Sequence, residues 1–374
     1  MSSPYWLEEP FEERPERRLD GPVDVAVVGA GVTGCACARV LAEAGLTVRL
    51  HDERQVGWGA SGRNGGFALR GGAASYDVAV DEYGHEVASE YWRATERALE
   101  RMATLAGDAL VRTGSLRLAT DEEERDGLRA EYELLVGGGF EAEWREPLEH
   151  PLDATFVAAI FHPGDAALQP ARWSRRLGAL AAEAGVDIRE ESRVASVDEL
   201  DAPQVVVATD GYPSGLLGPL EGLIIPTRAQ MVATEPIPER LFECPHYSRH
   251  GFDYWQQRAD GRILAGGFRD ASLATEFTSV EETTQEIQSA LDGFVSDLVG
   301  WPVVVTHRWA GLFGFVPDLM PVVGPVPGEE GLWVAGGYSG HGMVLGFMCG
   351  ELVANAILGR DAPQIDLFEP GRLL

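Results

Sequence analysis

The stretch VDVAVVGAGVTG, residues 23–34, joins an apolar run to a glycine-rich break. Val23–Val28 has the character of a central parallel strand buried on both faces. It ends at Gly29-Ala30-Gly31-Val32-Thr33-Gly34, a full G-x-G-x-x-G, and CACARVLAEAG follows as a helix that stops at Gly45. Gly29 serves the tight turn, Gly31 lets backbone approach a pyrophosphate, and Gly34 lets the helix pack close to the strand. Phosphates would sit on the free N–H groups at the positive end of the new helix, with Val32 and Thr33 of the turn beside them. A second strand, Leu46–Leu50, delivers Asp52, 18 residues after Gly34, where an acid hydrogen-bonds the adenosine ribose. Glu53 is the alternative acid. Strand, turn, helix and acid in this order predict dinucleotide binding; the bland alternative is a βαβ turn without a ligand.

The dinucleotide is narrowed by Gly57-Trp58-Gly59-Ala60-Ser61-Gly62-Arg63-Asn64-Gly65-Gly66. A chain that lies flat along a pyrophosphate and a flavin ring needs such a segment, because side chains there would block the approach. Ser61 and Asn64 are placed to donate to phosphate or flavin oxygens, and Arg63 to neutralise phosphate charge. A flexible surface loop is the competing reading. On these residues the chain resembles the D-amino-acid-oxidase-like superfamily of FAD-dependent oxidoreductases. GWGASGRNGG resembles most the gamma-glutamylputrescine oxidase branch.

The resemblance implies an α/β fold, α+β overall: a Rossmann-like FAD-binding domain interleaved with a substrate domain on a predominantly antiparallel sheet. The FAD-binding part is expected at 21–75, 150–215 and 320–374, the substrate part at 76–149 and 216–319. Residues 1–20 are read as an acidic surface arm pinned by Tyr5 and Trp6, without the apolar region of a secretory signal. Tyr83, Val87, Tyr91, Thr95, Ala98, Met102 and Leu105 recur at helical spacing and are read as core. Strands are expected at Ser115–Ala119, Phe156–Phe161, Val186–Arg189, Arg193–Val197, Gln204–Ala208, Leu223–Glu235, Phe252–Gln257, Arg262–Gly267 and Val303–Trp309. Helices are expected at Asp121–Val136, Ala171–Ala184 and Glu281–Leu298.

Further cofactor contacts come from the resemblance. The backbone near Val194 meets the adenine, and Ala208-Thr209-Asp210-Gly211-Tyr212 matches an ATNAY-type turn beneath the cofactor, with Asp210 where the family often has a neutral residue. A third signature, LWVAGGYSGHGMV at 332–344, carries a strand into a glycine-rich turn and another helix. The family places this turn, with Gly337, Tyr338, Gly340, His341, Gly342 and Met343, at the pyrimidine end of the flavin. There a helix dipole stabilises negative charge. His341 serves either packing or contact with flavin or substrate. Where some relatives attach FAD to a cysteine this chain has Gly311, so non-covalent FAD is expected.

Composition excludes other classes. With 374 residues, 45% hydrophobic and 24% charged, the chain suits a globular fold of more than one core. A net charge of −29 argues against nucleic-acid and anionic-membrane partners, and no apolar run spans a membrane. Cys35, Cys37, Cys244 and Cys349 have no metal or disulfide spacing, which suits a reducing cytoplasm and predicts no metal. There is no GxSxG, HExxH or P-loop lysine motif.

The expected chemistry is oxidation of a C–N bond in an amine or amino acid by hydride transfer to flavin N5. Water then hydrolyses the imine to a carbonyl product, and O2 reoxidises the flavin with H2O2 release. An electron-transferring dehydrogenase of the same fold and a non-catalytic flavin-binding subunit remain open. Tyr254, Trp255, Arg308, Phe313 and His341 are the candidate substrate-positioning residues. Relatives acting on simple amino acids clamp the α-carboxylate with an arginine where this chain has Phe313. That favours amines without an α-carboxylate, such as an acylated polyamine or another ω-amino compound. Arg63, Arg228, Arg258 and Arg269 are the other arginines placed to reach the pocket.

Overall fold

Three sheets, of six, eight and three strands, organise the described residues, 4–11 and 14–374, of this computed structural model. In the six-stranded sheet the order is Val322–Pro325, Leu332–Gly336, Gln204–Val207, Val25–Val28, Val48–His51, Asp187–Arg189. Every pairing is parallel except that between Val322–Pro325 and Leu332–Gly336. Val25–Val28 lies inside this sheet and is buried along its whole length. Alternation divides it between two cores: Val25 and Val27 pack with the helix Val32–Glu43, whereas Ala26 and Val28 pack with Leu216, Leu217 and Leu220 on the other face.

Helix Val32–Glu43 packs against both Pro170–Glu183 and Gly342–Ile357. The last is buried through most of its length, and at Gly350 an added Cβ would strike the Thr33 carbonyl of the neighbouring helix. Small residues at this crossing set the spacing of two helices whose N-termini both point toward the same end of the sheet.

The eight-stranded sheet runs Val305–Phe315, Ile225–Thr234, Ile263–Gly267, Asp253–Gln257, His246–Ser248, Ser115–Ala119, Ala158–His162, Glu143–Arg145. It is antiparallel except between His246–Ser248 and Ser115–Ala119. Helix Gln285–Val299 covers one face, packing Ile287, Leu291 and Val295 against Val232, Trp255 and Ala265. Ala158–His162, beyond the expected boundary at 150, pairs in this sheet.

Three expectations change. Arg193–Val197 forms no strand: Asp187–Arg189 is already the sheet edge, and the chain turns back so that Ser192 N–H donates to the Asp52 carbonyl at 2.7 Å. The single helical stripe from Tyr83 to Leu105 is two helices, Tyr76–Tyr83 and His85–Ala106. Gly84, at φ +81°, breaks them in a conformation that L side chains rarely adopt. The strand expected at Val303–Trp309 continues to Phe315, because Ile225–Thr234 pairs with it along nearly its full length.

Candidate active site

The three glycine-rich signatures, far apart in sequence, hydrogen-bond to one another. Val32 N–H, at the start of the first helix, donates to Ser61 Oγ at 3.0 Å. Asn64 Nδ2 reaches Met343 Sδ at 3.0 Å while also donating to the Ala60 and Ser61 carbonyls. Thr33 Oγ1 and the Tyr338 hydroxyl, both buried, are 2.9 Å apart. Two helix N-termini and the intervening loop therefore form one wall.

That wall bounds a cavity of about 580 Å³. The first signature contributes Gly29, Gly31 and Thr33, the strand after it Asp52 and Glu53, and the loop Gly59, Ala60, Ser61, Arg63, Asn64 and Gly65. Val194, Ala208 and Thr209 line it near the ends of the parallel strands; Tyr338, Gly340, His341, Gly342 and Met343 line it from the third signature. The rest of the expected cofactor set stands behind this lining. Gly34 and Gly211 allow close backbone contact, Gly34 with the Gly29 carbonyl and Gly211 with Phe313. Gly66 makes a turn at φ +75°, and Gly337 N–H donates to Asp210. Val32 gives its N–H to Ser61.

Asp52 does more than face the cavity: its carboxylate accepts from Ala30 N–H at 2.7 Å and Arg54 N–H at 2.8 Å. Burial pushes its pKa up, against those two hydrogen bonds. Asp210, at φ +49°, accepts from Gly337 N–H at 2.8 Å and Gly314 N–H at 3.0 Å. It thus fastens the long antiparallel strand and the third signature to the end of Gln204–Val207. Arg63 spends its donors on the Trp58 carbonyl at 2.7 Å and the Ala310 carbonyl at 3.2 Å. Glu281 was not legible in the sequence: it accepts from the Tyr212 hydroxyl at 2.5 Å and Arg54 Nη1 at 2.7 Å, beside the cavity.

On the antiparallel side the sheet face opposite helix Gln285–Val299 supplies Tyr254, Met231 and Phe313, joined by Tyr247, Phe252 and Arg269. Of the five expected substrate-positioning residues, Tyr254, Phe313 and His341 line the cavity. Trp255 and Arg308 do not, and those two assignments are corrected. Trp255, fully buried, follows Tyr254 on the strand and so faces the other way, stacked on His246 at 5.0 Å and Phe156 at 5.6 Å. Arg308 lies an odd number of residues from Phe313 and reaches Gln288 at 3.0 Å and Asp292 at 2.9 Å on the covering helix.

His341 caps the helix Gly342–Ile357. Burial holds its pKa down at about 4, with the Ser339 carbonyl opposing and the Arg117 and Arg269 charges adding to the fall. It is neutral at physiological pH, and its buried Nδ1 has no hydrogen-bond partner among the described residues. An orphaned polar atom beside two helix N-termini and a glycine-lined wall fits a bound cofactor with hydrogen-bonding and anionic groups. The described residues contain no cluster of potential metal ligands, and no helix among them is long and apolar enough to cross a membrane.

Known proteins of similar sequence run almost the length of the chain. Gamma-glutamylputrescine oxidoreductase of Escherichia coli is 27% identical, covering 92% of this chain and 85% of that one. Glycine oxidase of Pseudomonas aeruginosa is 28% identical, covering 91% and 96%. The fold matches the crystal structure of glycine oxidase from Geobacillus kaustophilus, with a TM-score of 0.78 at 22% identity over 93% of this chain and 98% of that one. It also matches L-proline dehydrogenase from P. horikoshii, with a TM-score of 0.77 at 22% identity over 95% and 98%. Residues 24–356 match the DAO family, described as FAD dependent oxidoreductase. The chain belongs to this family of FAD-dependent oxidoreductases, the superfamily that its glycine-rich signatures resemble.

Proposed function

We propose that the chain oxidises a C–N bond in an amine or amino acid and releases an imine that water hydrolyses to a carbonyl product. The observation that carries this reading is the continuity of the cavity. One end is lined by glycines and helix N-termini, the other by aromatic side chains of the antiparallel sheet. When bound, FAD supplies the two-electron acceptor for the hydride on the carbon beside nitrogen. Asp52, or Glu53 next to it, would hold the ribose, and the helix N-termini at Val32 and Gly342 would stabilise the phosphates and negative charge on the flavin. Tyr254, Phe252 and Phe313 exclude water, favouring the neutral amine that can give up a hydride. His341, held neutral, offers one hydrogen-bonding nitrogen without bringing a charge. Its orphaned Nδ1 supports that role.

The FAD is held non-covalently. All four cysteines are buried, none of them lines the cavity, and Gly311 does. Molecular oxygen reoxidises the flavin in this reading, and the enzyme works in the cytoplasm. The test is anaerobic: candidate amines are mixed with the purified yellow protein and the flavin band near 450 nm is followed. Bleaching by an amine supports the reading, and failure of every amine and amino acid to bleach it would overturn it. Peroxide release after readmission of air, against reduction of a dye alone, separates oxidase from dehydrogenase.

A further inference from the structure

The chain carries 59 acidic and 30 basic residues, and all 30 basic residues are arginine. In so acidic a protein an arginine without an acidic partner is conspicuous, above all beside a cavity. Four arginines line the cavity: Arg54, Arg63, Arg193 and Arg269. Arg54 is committed to Glu281, Arg63 to backbone carbonyls, and Arg193 is exposed to solvent. The remaining arginines that the sequence offered are spent elsewhere. Arg228 makes a buried two-pronged pair with Glu276 at 2.7 and 3.0 Å, and Arg258 lies over the Trp6 ring at 5.1 Å.

Arg269 is different. Its guanidinium lies 4.2 Å from the centroid of the Phe252 ring and 5.6 Å from that of Phe313. Such faces steady the charge but satisfy none of the five N–H donors. The side chain has no hydrogen bond or ion pair to any described residue, and the adjacent Asp270 carboxylate is taken by Arg249 at 2.6 Å. The backbone fixes the placement. Phe268, at φ +60°, turns the chain at the end of Ile263–Gly267, and its N–H donates to the Phe252 carbonyl at 2.7 Å. Arg269 is thereby laid back over Phe252 and Phe313. The Tyr254 hydroxyl, also without a hydrogen-bond partner among the described residues, is close enough to feel the Arg269 charge.

We propose that Arg269 is the anchor for a carboxylate on the substrate, with Phe252 and Phe313 holding the guanidinium plane and the Tyr254 hydroxyl supplying a further donor. The cation that strand position 313 lacks is provided from the turn after Ile263–Gly267. The proposal rests on the reading of the chain as an amine oxidoreductase and narrows it to amino compounds bearing a carboxylate. That carboxylate can stand beside the reacting carbon or at the far end of the molecule, and paired substrates separate the two.

The holoprotein and its Arg269→Met and Arg269→Lys variants are titrated with an amine-free carboxylate, glutarate or benzoate, and the flavin spectrum is followed. The expected result is a Kd raised about 10- to 100-fold in Arg269→Met, the loss of a charge-assisted hydrogen-bonded pair, with partial recovery in Arg269→Lys. Flavin reduction is then compared for D-alanine, 4-aminobutyrate and N-acetylputrescine. The ratio of kcat/KM for whichever carboxylate-bearing amine is used, relative to N-acetylputrescine, falls by a similar factor in Arg269→Met. Equal carboxylate binding in wild type and Arg269→Met, or an Arg269→Met protein that folds without FAD, would overturn the proposal. Should Arg269→Met not fold, Arg269→Lys decides alone, because losing the planar fork must still weaken the probe. If no amine reduces the wild-type flavin while carboxylate binding still depends on Arg269, the oxidase reading fails and the anchor stands.

Discussion

Asp210 offers a prediction whose size follows from geometry. Its half-buried carboxylate accepts two backbone N–H groups, from Gly314 in the eight-stranded sheet and from Gly337 just past the strand Leu332–Gly336 of the six-stranded one. Replacing it by alanine removes two hydrogen bonds to a charged acceptor, each worth roughly 1.5–3 kcal/mol. It also puts an alanine in the left-handed region, at a cost of about 1 kcal/mol. Against this stands the relief of a buried charge. Burial raises the Asp210 pKa more than the surrounding N–H groups lower it, so the carboxylate is held at some expense. The net loss is set at about 3 kcal/mol, which for a chain of this length lowers Tm by about 4 °C. Asparagine keeps the shape, tolerates the backbone and retains one acceptor, so Asp210→Asn should lose less than half as much. Calorimetry of both apoproteins, with FAD titrated by fluorescence quenching, checks this. Asp210→Ala as stable as wild type, or Asp210→Asn the worse of the two, would refute the clip between sheets.

Three more predictions concern the cofactor wall and the edge of the parallel sheet. Asp52→Ala should weaken FAD binding by about 1.5–3 kcal/mol and also destabilise the apoprotein, since Ala30 and Arg54 N–H lose their acceptor; an unchanged FAD affinity would pass the ribose to Glu53. Acid precipitation should release all the yellow colour into the supernatant, and colour retained in the pellet would mean a covalent link. Asp187 is held at about 2: burial alone would raise it, but hydrogen bonds from Arg189, Leu19 N–H and Arg49 prevail. Its contribution to stability is therefore present above pH 4 and lost as pH falls from 4 toward 2, so Asp187→Asn should flatten the acid limb of a Tm–pH curve in that window.

The parts of the fold fixed by local pattern were legible in advance. The apolar run, glycine turn and helix after Val23 need only neighbours in sequence, and the same holds for the loop at Gly57–Gly66 and the turn after Leu332. Period two on a strand says that Tyr254 and Trp255 face opposite ways, but not which way the cavity lies. That is decided by helix Gln285–Val299, which claims Trp255 for its own core. Ion-pair partners are equally hidden. Arg228 finds Glu276 and Arg54 finds Glu281 across long stretches of chain, and only after those pairings does Arg269 stand apart. Arg193–Val197 has the composition of a strand, yet the chain turns back at Ser192 onto the Asp52 carbonyl and leaves Asp187–Arg189 as the sheet edge.

The N-terminal turn Tyr5–Glu8 supports the loop from below: Trp6, almost fully buried, donates from Nε1 to the Asn64 carbonyl at 2.8 Å, and the Tyr5 hydroxyl reaches Asp260 at 2.9 Å. Glu9 is gripped by Arg172, and Glu8 meets His307 at 3.1 Å. During synthesis these residues leave the ribosome well before their partners at 172, 260 and 307. The turn is thus among the last pieces to find its seat. Until it does, the floor under Asn64 is missing, and the nascent chain has no finished place for its cofactor.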